Sequence, residues 1–315
     1  MPDIRSWLLI FTLSASSAIT AQDADSLWVD DPALSSEDSL SIFTLIDSLL
    51  NMDVQLPSQL ALRVGYNSNV LSAGRTLGIK NFGLSPGISY YHKTGLYADV
   101  SSFWSNDFEP SYYLTLASIG YMHNFSKKVS ILAGYDRYFY NTSNDHDYIP
   151  YKNAISIGPL IEFKPFTVTL NYSFYFGEQL AHRLMPGLGL TLEKRKLWGI
   201  DRVALLPAVY MLWGTEQITT LEYVAPKNLL EALRNFEKYG MRYSIVQTTE
   251  NVNGIMNYAF SFPLSVHHKN WNFLFTYGYY IPKALAGEPL TISESSFLTA
   301  SLTYFIDLSR NKKPL

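Results

Sequence analysis

Arg63, Asp99, Asp136, Glu162, Arg183 and Glu193 fall in the polar register of segments that alternate apolar and polar residues. Asn67, Asn171 and Asn272 share that register, as do Tyr97, Tyr175, Tyr210 and Tyr280. Charges of both signs on one face can do either of two things. They can line a pore and select a solute, or they can close on one another as a salt-bridge network that fills a narrow interior. Inward tyrosines favour a constricted or filled interior over an open one.

Other chemistry is poorly supported. A hydrolytic site needs a serine within reach of a histidine that a third group orients. The histidines are His92, His123, His146, His182, His267 and His268, and none stands in an HxSNG-like motif of the kind found in barrel phospholipases. An enzyme is therefore not expected, and lipid hydrolysis ranks third among the readings. The run NDHD at 144–147 offers carboxylates to a divalent cation. Contiguous residues cannot all aim at one ion, so no metal and no other cofactor is expected. No phosphate loop, nucleotide fingerprint or zinc motif occurs. The net charge of −3 provides no basic excess for nucleic acid. Arg137 and Arg183 stand where they can meet lipopolysaccharide phosphates.

The elements that must position these residues are strands. Residues 166–177 read FTVTLNYSFYFG, with Phe166, Val168, Leu170, Tyr172, Phe174 and Phe176 on one face. The period of two defines a strand with one apolar and one polar face. Runs of this kind recur at 59–68, 82–92, 95–105, 111–124, 127–140, 152–163, 166–176, 183–193, 202–213, 253–266, 271–282 and 296–308. They exceed the roughly 5–6 residues usual in soluble sheets and match the about 9–11 that a tilted strand needs to cross a bilayer. Connections alternate between short ones, such as 93–94 and 164–165, and mostly long ones, such as 141–151 and 214–252. Short turns on one side and long loops on the other are the pattern of transmembrane barrels.

The two faces differ in the sense a membrane requires. Leu298, Ala300, Leu302, Tyr304 and Ile306 oppose Thr299, Ser301 and Thr303. The polar set is small, whereas a sandwich core needs large residues meeting across about 10 Å. Aromatic residues crowd the strand ends, as in Tyr90–Tyr91, Phe103–Trp104, Tyr138–Tyr140 and Trp271, as interfacial girdles do. Five in-strand prolines, Pro86, Pro159, Pro186, Pro207 and Pro263, run against this reading. Each lacks a ladder donor, and a closed barrel has no free edge.

Charged residues make up 16% of the chain, below the roughly 25% of an average globular protein. The mean hydropathy is nevertheless +0.00, which fits alternation and not a bundle of membrane helices. The first 21 residues read as a secretory signal peptide, with Arg5, an apolar core from Trp7 to Leu13, and Ala21 before the cleavage point. Residues 22–57 read as a polar, acidic leader, with an amphipathic helix at 39–50. The absence of cysteine excludes disulfides and a lipoprotein anchor. Within 214–252, PKNLLEALRNFEKYG has Pro226 at a helix start and Gly240 at its end. Leu229, Leu233 and Phe236 lie on its apolar stripe, which is expected to pack on the rim or at the mouth.

Together these features resemble Gram-negative outer-membrane β-barrel proteins. The Tyr-rich strands and the leader SLWVDDPALSSEDSLSIFTLIDSLL are similar to barrels of Bacteroidota-type bacteria. The last strand, SFLTASLTYFIDLS, resembles the signal read by the barrel assembly machinery, although the chain runs on past Phe305. The resemblance covers architecture and brings no catalytic residue. The expectation is an all-β protein: a closed antiparallel transmembrane barrel of about twelve strands over 58–308, with a tail at 309–315. It is placed in the bacterial outer membrane with both termini periplasmic, in contact with membrane lipid and lipopolysaccharide. The expected function is a narrow channel or binding barrel for a small polar solute. The alternative is a plugged barrel acting through its external loops.

Overall fold

The computed structural model describes residues 58–68, 71–72, 75–76, 83–106, 110–141, 151–287 and 294–308. The signal peptide, the leader and its amphipathic segment, the NDHD run and the tail at 309–315 lie outside the described residues. The wall begins with β1 (Gln59–Asn67), β2 (Gly83–Tyr91), β3 (Leu96–Ser105) and β4 (Tyr112–Asn124). It continues through β5 (Val129–Tyr140), β6 (Tyr151–Phe163) and β7 (Phe166–Gly177). Strand β8 is Leu180–Leu190 with its continuation Leu192–Leu197, and β9 is Ile200–Leu205 with its continuation Ala208–Val224. After the helix α1 (Leu229–Tyr239) come β10 (Ser244–His268), β11 (Trp271–Pro282) and β12 (Ser295–Asp307).

Each strand pairs antiparallel with its sequence neighbours, and β12 pairs with β1 from Gln59↔Asp307 to Asn67↔Thr299. The described strands therefore form a closed antiparallel barrel of 12 strands. No described helix is long and apolar enough to cross a membrane, which says nothing about crossing by strands.

The wall is inverted relative to a soluble protein. In β7, Phe166, Val168, Leu170 and Tyr172 are exposed, while Asn171 and Ser173 are buried. Ile119 on the outer face is 57% exposed, whereas Asp99 on the inner face is 6% exposed. Leu62, Val64, Ile88, Val100, Ile155, Leu188, Phe262 and Leu302 join the outer apolar set. The inner face is not purely small and polar as expected. Phe103, Leu114, Leu116, Met185, Leu212, Met256, Leu274, Phe297 and Phe305 are also buried, because a wall of this curvature leaves volume that small side chains alone cannot fill.

The prolines are accommodated one seam at a time. In an antiparallel sheet the N–H and C=O of one residue point at the same neighbour, so a missing N–H affects a single seam. Pro86 aligns with Val64 of β1, while the seam with β3 skips from Gly87↔Ser101 to Leu84↔Trp104. Pro159 aligns with Ile131, and the seam with β7 skips between Ile157↔Tyr172 and Leu160↔Thr169. Pro186 aligns with Leu170, and the seam with β9 skips between Leu184↔Trp213 and Gly187↔Tyr210. Pro207 and Pro263 share one gap, between Leu205↔Leu264 and Ala208↔Ser261. Inside that gap the Leu206 N–H donates to the Pro263 carbonyl at 2.9 Å, and on the other seam, toward β8, the Leu190 N–H donates to the Pro207 carbonyl at 2.8 Å.

Two strand pairs are longer than the sequence pattern suggests. β8 and β9 run on to a tight turn at Trp198–Gly199, where both residues have positive φ. β9 and β10 continue together from Thr215↔Asn253 to Val224↔Ser244. Most of the expected loop at 214–252 is therefore a two-stranded ribbon that projects past the last β8 partner at Gly214. Its threonine-rich sequence lacks the apolar alternation of the wall.

Inside, aromatic rings lie against bare backbone. A Cβ at Gly120 would stand 2.5 Å from the Tyr97 ring, and one at Gly278 would collide with the Phe297 ring. Phe297 in turn stacks on Tyr280, with centroids 4.9 Å apart. Gly278→Ala is expected to lower barrel stability by about 1–3 kcal/mol through overpacking, read from denaturant unfolding in detergent micelles. Gly278→Ala combined with Phe297→Leu should recover most of the loss. An unchanged midpoint for the single variant would refute this packing.

Candidate functional site

The interior is the only extensive polar surface that the described wall encloses, and alternation dictates its membership. β1 turns Ala61, Arg63 and Gly65 inward because Leu62, Val64 and Tyr66 take the outer face. β3 turns Tyr97, Asp99 and Ser101 inward for the same reason. The Arg63 Nη2 lies 3.5 Å from Asp99 Oδ1 and donates to Ser101 Oγ at 2.6 Å. Ser101 Oγ donates to Asp99 Oδ2 at 2.7 Å, and Ser89 Oγ donates to Asp99 Oδ1. The carboxylate thus accepts from both flanking serines and faces one guanidinium. A buried charge needs such partners, because an uncompensated one costs several kcal/mol. Gly87 leaves the room for this cluster: a Cβ there would stand 2.7 Å from Ser101 Oγ and 3.1 Å from Arg63 Nη2.

Direct cross-strand neighbours extend the cluster along one row. Asp99 is opposite Ser118 of β4, and Ser118 is opposite Asp136 of β5. Asp136 makes no ion pair among the described residues. Toward the long-loop end, Arg183 Nη2 meets Glu216 Oε2 at 2.6 Å, and Tyr151 Oη donates to Glu216 Oε1 at 3.0 Å. The same guanidinium donates to the carbonyl of Thr215. Toward the short-turn end, Arg202 Nε and Nη2 each reach Glu193 Oε2 at 2.9 Å, and Arg195 approaches Glu193 Oε1 at 3.5 Å. Ser265 Oγ donates to Asn272 Oδ1 at 3.0 Å.

The candidate residues named from sequence are distributed as follows. Arg63 and Asp99 meet directly, as stated. Asn171, Arg183 and Asn272 are buried, and Asp136, Glu162, Glu193 and Asn67 are half-buried on the inner face. Tyr97 lies over Gly120, and Tyr175 packs on Tyr151 with centroids 5.8 Å apart. Tyr280 is 1% exposed, stacked on Phe297. Arg202 and Glu216 were missed. Arg202 shares the parity of Tyr210 and was available from alternation. Glu216 was not, because it falls beyond the expected end of its strand.

Three expectations need correction. Arg183 cannot meet lipopolysaccharide, since it points inward and is 5% exposed. His182 beside it points outward, where its Nδ1 lies 2.7 Å from Tyr172 Oη. Arg137 does sit on the outer face, donating to Asn153 Oδ1 at 2.8 Å. The helix α1 begins at Leu229, three residues after Pro226: Asn228 is its N-cap, accepting from the Glu231 N–H at 2.8 Å. Gly240 ends it in the left-handed region at φ 69°. Its apolar stripe is not packed on the rim. Leu229, Leu230, Leu233 and Phe236 are all exposed, while Ala232 and Asn235 are buried and Asn235 Nδ2 donates to the Arg242 carbonyl at 3.2 Å. The helix closes on its own exit segment with its polar side, which leaves the stripe outward. Among the described residues, no group of three or more His, Cys, Asp or Glu could hold a metal ion.

The chain is similar to solved outer-membrane barrels. The KdgM porin shares 11% identity at a TM-score of 0.42, covering 78% of this chain and 98% of that one. The NanC porin shares 11% identity at a TM-score of 0.40 with the same coverage, 78% and 98%. An outer membrane channel from Pseudomonas putida F1 shares 11% identity at a TM-score of 0.39, covering 80% and 96%. No family model and no curated protein matches the sequence. The fold described above rests on the closed strand order of this chain itself.

Arg63→Ala strips the cation from a carboxylate that is 6% exposed. It is expected to cost about 3–5 kcal/mol in denaturant unfolding. The double variant Arg63→Met with Asp99→Asn should regain most of that. If the single variant unfolds at the wild-type midpoint, the pair is not the anchor the geometry indicates.

Proposed function

We propose that the chain is an outer-membrane barrel whose lumen passes or binds a small polar solute. The observation that carries the reading is the inversion of the wall, with leucine, isoleucine and phenylalanine exposed outside and arginine, aspartate and asparagine buried inside. Lipid is the medium that favours such an exterior. Both ends of the described chain meet at the short-turn side, where the Leu308 N–H donates to the Ser58 carbonyl at 2.9 Å. Short turns on that side and long connections on the other support a periplasmic position for both termini.

The lumen is narrow. Arg63, Arg183 and Arg202 are each neutralised by a carboxylate, and Glu193 and Glu216, at opposite ends, are the partly wetted members at 22% and 26% side-chain exposure. Among the described residues, a cavity of about 50 Å³ on the inner face is lined by Thr167, Thr169, Thr191, Leu206 and Tyr210. Asp136 adds an inward carboxylate outside these pairs, which favours cations over anions.

Planar-bilayer recording of the purified protein tests this. Small single-channel steps with a modest cation preference are expected, and Asp136→Asn should move the reversal potential in a salt gradient toward zero. A current with anion preference would overturn the charge argument. Silence at every voltage would support the second reading, a filled barrel that acts through its loops. That reading has its own observation: the outward stripe of α1 at the end of the projecting ribbon.

A further inference from the structure

The outer wall carries a recess that the lumen reading does not use. It has a volume of about 270 Å³ and is lined by Leu84, Pro86, Trp104, Ser105 and Asn106. Its origin is the seam between β2 and β3. Pro86 cannot donate there, so the ladder skips between Leu84↔Trp104 and Gly87↔Ser101. The register between β3 and β4 also shifts at Phe103/Trp104. The two irregularities fall on adjacent seams at the same height and part the wall's outer surface. The Trp104 ring forms one side of the recess and is itself propped by Tyr112, with centroids 4.9 Å apart.

The lining identifies the occupant. Leu84, Pro86 and Trp104 are apolar and face outward, and Ile88 and Val100 continue the same apolar surface away from the long-loop end. The recess is therefore continuous with the surface that meets lipid. Its exposed polar member, Asn106, stands at the long-loop end, while the Ser105 side chain turns to the inner face. An apolar trough open along the membrane-facing wall and polar at one end matches an acyl chain joined to a headgroup. Among the described residues, no charge lines it.

We propose that this recess retains one acyl chain of a bilayer lipid, held in the β2–β3 trough with its headgroup toward Asn106. The site rests on the membrane reading above. It differs from general lipid contact because the chain enters a groove in the wall and does not lie on a smooth surface.

The test uses the full chain with single-tryptophan reporters, one keeping Trp104 and one keeping Trp271, the remaining tryptophans being replaced by Phe. Trp271 is 47% exposed on the outer face at the opposite end of the wall. In vesicles of brominated phosphatidylcholine, both reporters should lose emission. If neither does, the membrane reading fails and this site with it. The protein is then delipidated in dodecyl maltoside micelles and given brominated phosphatidylcholine in stoichiometric amounts. Trp104 should be quenched saturably and Trp271 should not. Leu84→Phe, which narrows the trough without touching the lumen, should bring Trp104 quenching down to the Trp271 level. Equal quenching of both reporters in micelles, with both quenched in vesicles, overturns the retained-lipid site and leaves the membrane reading standing.

Discussion

Everything in this molecule depends on satisfying the backbone hydrogen bonds of a wall whose outside is apolar. In hydrocarbon an orphaned N–H or C=O costs several kcal/mol, and no water can compensate. Closure of β12 onto β1 removes the two edges an open sheet would have. The same constraint governs the prolines. A proline inside a barrel strand is tolerable when its missing donor affects one seam while the other seam runs on, and Pro86, Pro159, Pro186 and Pro263 each show this. Pro207 and Pro263 lie close together on neighbouring strands but turn to different seams, Pro207 accepting from Leu190 of β8 and Pro263 from Leu206 of β9. Gaps in the ladder are also where the wall departs from smoothness, which is why the outer recess lies beside Pro86.

Closure with this number of strands sets the interior width between that of small filled barrels and that of open porins. The chain uses that width in two ways. Aromatic rings lie flat on glycine, as Tyr97 does on Gly120 and Phe297 on Gly278, so a large side chain occupies the wall's own thickness. Arginines project further and are each met by a carboxylate from another strand: Asp99, Glu216 and Glu193. Salt bridges this buried contribute little net stability against apolar packing. What they provide is a polar interior that stays ordered and cannot collapse on an unpaired charge. The ribbon of β9 and β10 obeys different rules. Beyond Gly214 it has no further ladder partner in β8, and its sequence loses the alternation of the wall.

Much of this was legible from the residues. Alternation at Phe166–Phe176 and Trp271–Ile281 placed the outer face, and the same parity put Arg63, Asp99, Arg183 and Asn272 on the inner one. Parity carries no information on reach, however. It could not show that Arg63 would choose Asp99, since the two are far apart in sequence and become neighbours only through β2. Nor could it show that Arg183 would reach Glu216, which lies beyond the expected end of its strand. Glu216 was hidden because the ribbon's polar sequence reads as loop. The stripe of α1 was legible as a stripe, but which side the helix would bury depended on Asn235 reaching Arg242, a contact across the turn that follows it.

The amino-acid order by itself determined the strands, their two faces and the alternation of short and long connections, because each follows from a period of two and from local turn chemistry. Only the tertiary structure decided the ion pairs, the ring-on-glycine contacts and the single-seam placement of the prolines. Those depend on the stagger between neighbouring strands around a closed circuit, and stagger is a property of the whole ring that no single strand encodes.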